Sequence, residues 1–366
     1  MRYFCVLFAA ILVSNVCGTR RVLPIKRNTQ NNTLGLHRSN AQRSTTTRPN
    51  NACVFDKPPT PNFNAPGRRI STAKCLEYIR QRSDRAETKK KMEESGQGYK
   101  NYYVYGGRNA LSEEFPHMGA VGWKPLKGNW IFKCGCSLIS SKFTLTAAHC
   151  TKSSRDTRLQ SSVPEIVRLG VKNIFNSVYV DGLSPQDSKI LRIIVHPAYS
   201  SPTKYFDIAL MEISEVLTFT KHLQPACLWT NFDISKLGTS ATLTGWGAID
   251  AETKTSPNLQ AAVVDIIDSK QCDALLKHTR NRLWGGLEHH QLCGGKKSGG
   301  VDSCQGDSGG PLQVKIALPE IGEGTMHFII GVTSFGTGCG LPNQPGVYTR
   351  VSSFIDWIES IVWKDN

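Results

Sequence analysis

The chain has 366 residues, with 44 lysines and arginines against 29 aspartates and glutamates, a formal net charge of +15. That length allows one domain of about 250 residues with a long appendage. The charge is lopsided. Residues 19–103 hold 18 basic and 6 acidic side chains, residues 104–366 hold 25 and 23, and Arg2 supplies the remaining unit. A basic excess confined to a polar arm argues against a nucleic-acid interface. It leaves a solvated segment, with weak attraction to an anionic surface as the alternative.

The first eighteen residues read as a secretory signal peptide. Arg2 supplies the basic start, Phe4 to Val13 an unbroken apolar run, and Val16-Cys17-Gly18 a small-residue end. The run is shorter than the roughly 20 apolar residues of a membrane helix, and no later segment is longer, so a secreted protein without a membrane span is expected. Residues 19–52 are rich in Asn, Thr, Ser and Arg and read as a flexible arm, with a glycosylation acceptor at Asn31 in Asn31-Asn32-Thr33. Residues 53–75 run from Cys53 to Cys75 through the cluster Pro58 to Pro66. Residues 76–103 open as a helix and pass into a charged linker, TKKKMEESGQG.

From Val104 the character changes. Short β-branched runs (CGCSLIS, FTLTAAHC, IVRLGV, KILRIIVH, DIALMEI, FIIGVTSF) alternate with Gly, Pro and Asn, the pattern of an all-β barrel or sandwich. SSFIDWIESIVW closes the chain with Phe354, Ile355, Ile358 and Ile361 at helical spacing behind Ser352 or Ser353 as cap. Of twelve cysteines, Cys5 and Cys17 leave with the signal. The remaining ten suit an oxidising compartment and a disulfide framework. Cys134-Gly135-Cys136 is too tightly spaced for a zinc pair, so neither metal nor cofactor is expected.

Three stretches carry chemistry: TAAHC with His149, FDIAL with Asp207 and DSCQGDSGGP with Ser308. Singly, each has a bland reading as a core histidine, a strand cap and a tight turn. Together, in the order His, Asp, Ser, they resemble the chymotrypsin-like serine proteases over residues 104–366. The resemblance implies a double β-barrel with a C-terminal helix, behind a largely disordered propeptide. The expected boundaries are 1–18 for the signal, 19–103 for the propeptide and 104–366 for the protease domain. Ser308 would be the nucleophile, His149 its base and Asp207 the group that orients the imidazole, with the N–H groups of Gly306 and Ser308 facing the oxyanion. Asp302 would sit at the base of the pocket for the side chain before the cleaved bond and select Arg or Lys, with Ser303 beside it. The walls would be Ser334, Phe335, Gly336 and Gly346. Phe335 stands where the family usually has Trp. Val171 follows Arg168-Leu169-Gly170 where calcium-binding members carry an acid, so no calcium is implied.

The same resemblance implies the pairs Cys134–Cys150, Cys272–Cys293 and Cys304–Cys339, with Cys75–Cys227 tethering the propeptide. RISTAKCLEY resembles the segment after the clip domain of insect clip-domain proteases, yet only Cys53 precedes Cys75, so a complete clip is absent. Cys136 replaces a family glycine. Cys53 and Cys136 remain, bonded to each other or with Cys53 free or paired between chains. Val104-Tyr105-Gly106-Gly107 aligns with the new N-terminus that, once released, pairs with Asp307. The cut would follow Tyr103, which an enzyme selecting Arg or Lys does not cleave well. The activator would therefore be a protease of other specificity, or cut after Lys100 with later trimming. The implied partners are protein substrates, among them a downstream zymogen, and a serpin inhibitor. A scaffold using the protease fold and a digestive enzyme are the alternatives.

Overall fold

The computed structural model describes residues 65–94, with side chains to 85, and 108–111, 113–175, 185–248, 255–300, 306–317, 325–336, 338 and 340–364. Strand β1 (Arg108–Asn109) precedes a closed barrel of β2 (Met118–Trp123), β3 (Ile131–Leu138), β4 (Phe143–Thr146), β5 (Ile166–Leu169), β6 (Gln186–Val195) and β7 (Ala209–Ile213). Its strands are antiparallel neighbours in the order β2-β3-β4-β7-β6-β5. The short β8 (Cys227–Leu228) leads to β9 (Ser240–Gly245), β10 (Gln260–Ile267), β11 (Gln291–Gly295), β12 (Pro311–Ala317), β13 (Thr325–Phe335) and β14 (Gly346–Arg350). These run β10-β11-β14-β13-β12-β9, and the pairing of β9 with β10 closes a second barrel. The expected double β-barrel is therefore present; helix α2 (Ser269–Leu275) lies between β10 and β11, and helix α3 (Ile355–Val362) follows β14 as the apolar spacing of the last segment requires.

Strand β2 joins the barrels. All six of its residues are buried, because both of its faces are covered. Val121 and Trp123 fill the first barrel, while Met118 and Ala120 on the opposite face pack with Trp246, Leu259 and Ala261 of the second. Period-2 alternation along one strand thus feeds two cores and sets the seam between them.

Helix α1 (Ile70–Glu94) differs from expectation at both ends. The lysine-rich TKKK stretch belongs to the helix, because Lys, Glu and Met are good helix formers and nothing breaks the run before Ser95. At its start, Cys75, Tyr78 and Ile79 lie on one face and are buried against Cys227, Met326, Phe219 and Phe328. The first turn is held by α3: Ser71 donates to Glu359 Oε1 through its backbone N–H (3.0 Å) and its hydroxyl (2.5 Å), and Arg69 pairs with Asp356 at 2.5 Å. The Glu359 carboxylate satisfies a first-turn N–H donor that the helix itself cannot. The expected Cys75–Cys227 bond anchors this contact, and Cys134–Cys150 and Cys272–Cys293 also form.

Cys136 corrects an expectation. It is a free thiol, wholly buried on β3 inside the first barrel, so it forms no tether with Cys53. Its sulfur lies only 2.8 Å from where a Cβ on Gly119 of β2 would fall. Burial pushes its pKa up to about 12, which makes the thiol unreactive. Cys53, Asn31 and the Cys304–Cys339 pair lie outside the described residues.

Two outcomes are expected. Replacing Cys75 and Cys227 together by serine removes a crosslink that closes a 152-residue separation. It should cost the intact chain about 3–5 kcal/mol in urea denaturation. The second concerns His117 and His327, buried side by side with ring centroids 5.1 Å apart. Burial holds His117 well below its usual pKa and brings His327 down to about 4. The unfolded chain binds these protons from near pH 6.5, so between roughly pH 6.5 and 4 it is the more protonated state and stability is lost as the pH is lowered. His327→Phe should flatten that slope in denaturation curves collected across this range.

Candidate active site

The loop before β7 delivers Asp207. Phe206 adopts φ 55°, uncommon for an aromatic residue, and is held there by His290, whose ring stacks on it at 4.3 Å and whose Nε2 accepts the Phe206 N–H at 3.2 Å. The turn sends the Asp207 carboxylate inward to 2% exposure. There Oδ2 lies 2.7 Å from His149 Nδ1 and accepts the Ser334 hydroxyl at 2.5 Å, while Oδ1 accepts the His149 backbone N–H at 2.9 Å. Thr349 Oγ1 donates to the Asp207 carbonyl at 2.8 Å. Burial alone would raise the Asp207 pKa. The His149 ring and the hydrogen bonds from His149 and Ser334 outweigh it and hold the pKa below the ordinary carboxylate value.

His149 sits on a 3-10 turn, Ala148–Thr151, that follows β4 and is pinned to β3 by Cys134–Cys150. With Nδ1 facing a carboxylate, the neutral ring carries its proton there and leaves Nε2 as the acceptor, the tautomer a general base requires. The ring is 32% exposed and opens onto a cleft. The sulfurs of Cys134 and Cys150 lie within 4.8 Å of a His149 nitrogen, but both are joined in the disulfide, so the trio is no metal centre.

Ser308 lies in a turn between Gly306, at φ 100°, and Gly309, at φ 77°. A Cβ on Gly309 would approach the Gly135 carbonyl to 2.6 Å, so only glycine fits between the turn and the first barrel. Gly135 N–H donates to the Ser308 carbonyl at 2.8 Å, and Gly309 N–H donates to Thr333 O at 2.8 Å. The turn is thus laced to β3 on one side and β13 on the other. Asp307, next to it, accepts the Gly247 N–H at 2.9 Å, and a Cβ on Gly245 or Gly247 would land inside its carboxylate. Among the described residues no hydrogen bond joins the Ser308 hydroxyl to His149, whose Nε2 lies 3.7 Å from Cys150 Sγ. Such bonds are often loose before substrate arrives.

Of the expected pocket walls, Ser334 is buried with its hydroxyl on Asp207. Phe335 packs edge-on against Trp284 at 5.5 Å, Gly336 is exposed, and Gly346 is buried at the start of β14 opposite Gly294. Asp302, Ser303, Tyr103 and Val104 lie outside the described residues. The structure adds Thr349, Phe206 and His290 to the group that positions Asp207. The motif FDIAL contains Phe206, but nothing in its letters signals a left-handed backbone, and His290 is distant in sequence.

Removing the Ser334 hydroxyl tests the network. A hydrogen bond to a buried carboxylate contributes about 1.5–3 kcal/mol. Ser334→Ala should therefore slow fluorophosphonate labelling of Ser308 at least tenfold without changing the denaturation midpoint comparably. Asp207→Asn should slow it by about 10⁴, since the amide favours the wrong histidine tautomer.

A model of the family described as Trypsin matches residues 104–358. The serine protease snk of Drosophila melanogaster is 35% identical over 311 residues, covering 81% of this chain and 66% of its own length. The serine protease Hayan of Drosophila melanogaster is 39% identical over 258 residues, covering 69% and 38%, and transmembrane protease serine 7 of Mus musculus is 36% identical over 264 residues, covering 69% and 29%. The chain spans less than two thirds of the length of each. No helix among the described residues is long and apolar enough to cross a membrane.

Proposed function

The chain belongs to the trypsin family of serine proteases, and on that premise we propose that it is a secreted endopeptidase zymogen that cleaves after Arg or Lys. The observation that carries this reading is the buried Asp207 carboxylate gripped by His149 and Ser334 beside the glycine-bounded Ser308 turn. His149 Nε2 takes the Ser308 proton as the hydroxyl attacks the substrate carbonyl. The imidazolium is stabilised by Asp207 and then protonates the leaving amine. The N–H groups of Gly306 and Ser308 receive the oxyanion, a contribution of roughly 10²–10³ in rate per donor. A water then repeats the sequence on the acyl-enzyme.

The Arg or Lys preference rests on Asp302, six residues before Ser308: a carboxylate in a narrow slot leaves a neutral side chain with an unpaired charge beneath it. Activation is a cut after Tyr103 that frees Val104 to pair with Asp307. An ion pair of this kind is costly to leave half-made, by roughly 3–5 kcal/mol, which makes it a switch. The docked, disulfide-linked α1 favours a regulated protease with few targets over a digestive one. It would act in an extracellular cascade of immunity or development, receiving its cut from a protease of different specificity, cleaving a downstream zymogen and being stopped by a serpin-type inhibitor.

The experiment is activation of the purified zymogen by a panel of proteases, followed by N-terminal sequencing and peptide cleavage. A protease selecting aromatic residues should yield a chain starting Val104-Tyr105-Gly106-Gly107, with activity appearing in step. Tyr103→Arg should transfer the requirement to trypsin-like enzymes and permit self-activation. Asp302→Ser should abolish cleavage after Arg and Lys while Ser308 still reacts with a small fluorophosphonate. Failure of the activated wild type to react with that probe would favour a scaffold.

A further inference from the structure

The cleft that opens at His149 has a volume of about 1220 Å³, and Lys152, Arg155, Asp156, Tyr199 and Lys204 line it. Its charges do not balance. Asp156 is already matched by Arg158 at 2.8 Å and Lys133 at 2.6 Å, and these two cations hold its carboxyl far below the usual range. Lys152, Arg155 and Lys204 form no ion pair among the described residues. Three cations therefore face the substrate path without an answering acid.

Among them Lys204 is the one held in place. Lys152 and Arg155 are exposed, and long exposed side chains contribute little through ion pairs. Lys204 is half-buried. Its backbone N–H donates to Leu283 O at 3.1 Å and its carbonyl accepts from Gln291 Nε2 at 2.9 Å. The next residue, Tyr205, is locked through its hydroxyl to Gly285 and Gly286. The Lys204 ammonium lies over the Phe335 ring, 5.6 Å from its centroid, and that ring is itself braced by Trp284. A cation on an aromatic face is attracted to it but keeps its full charge and its N–H donors. Phe335 belongs to the Ser334–Gly336 wall assigned to the residue before the cleaved bond, so the ammonium stands beside the path of the substrate's preceding residues.

We propose that Lys204 makes the cleft select substrates with a carboxylate side chain on the N-terminal side of the cleaved bond. The acid receives a charge-assisted hydrogen bond from a partly desolvated ammonium. A basic residue there meets the Lys204 ammonium in a cleft that Lys152 and Arg155 also line, so the selection works by exclusion as well as attraction. The inference rests on the reading of this chain as a peptidase whose pocket takes Arg or Lys. It narrows the substrate class to peptides in which an acid precedes the basic residue.

The test uses the full-length protein activated ahead of Val104, with active sites titrated, and peptides of one sequence carrying Arg before the cleaved bond. Asp, Ala or Lys is placed in turn at each preceding position. At the position facing Lys204, Asp should exceed Ala in kcat/KM about fivefold, and Lys should fall below Ala. The ratio should shrink toward one as salt is raised to about 1 M. Lys204→Met keeps an apolar stem on Phe335 and should bring the Asp-to-Ala ratio to about one, while Lys204→Glu should invert the order of Asp and Lys. Ready cleavage with equal rates for Asp and Ala overturns this proposal alone, as does a preference that survives Lys204→Met. Loss of cleavage for every Arg peptide, whatever precedes it, overturns the Arg and Lys reading as well.

Discussion

A carboxylate at 2% exposure is tolerable only when every charge-bearing oxygen has donors, and Asp207 finds its donors in both barrels. His149, from the turn after β4 in the first barrel, reaches both carboxylate oxygens, Ser334 of β13 in the second adds a further donor, and Thr349 of β14 holds the Asp207 backbone carbonyl. The full set of Asp207 partners is therefore assembled only where the two barrels meet. Docking the barrels and orienting the imidazole are one event, and the two-faced burial of β2 provides the apolar seam that keeps them together. The Ser308 turn obeys the same logic, laced to β3 on one side and β13 on the other. A shift along the seam moves both halves of the site at once.

The helix outside the barrels extends that arrangement. Helix α1 covers Met326 and Phe328 of β13 through Tyr78 and Ile79, and its first turn is gripped by Glu359 of α3. The disulfide at Cys75 adds a covalent bond to a contact that already buries apolar surface and satisfies helix-end donors. Strand β13 thus carries the helix contact at its start and the Asp207 donor at its end. A segment that precedes both barrels in the chain is built into the wall of the second.

Much of this was legible in the letters because the chemistry demands particular residue types at particular places. The glycines flanking Ser308, the histidine beside a cysteine and the aspartate ahead of Ile-Ala-Leu each announce a backbone requirement or a chemical role, and the β-branched runs announce strands. What stayed hidden depends on contacts between distant segments. TKKKMEE reads as a solvated linker by composition, yet its helix formers continue an α-helix started by an anchored face. Cys136 invited a partner by parity, and only the inward direction of its β3 side chain shows why it has none. The left-handed turn at Phe206 depends on His290, which lies 84 residues further along, so no local pattern encodes it.

Gly245 and Gly247 do no chemistry, yet the absence of their side chains is what gives the Asp307 carboxylate a place to lie. A single methyl at either position would evict that acid by crowding, with its charge and its neighbours unaltered. Substitutions around this site therefore fall into two groups. One removes a reacting atom; the other fills a space. The second group would keep its nucleophile and its fold, and a chemist comparing the sequences would find nothing missing.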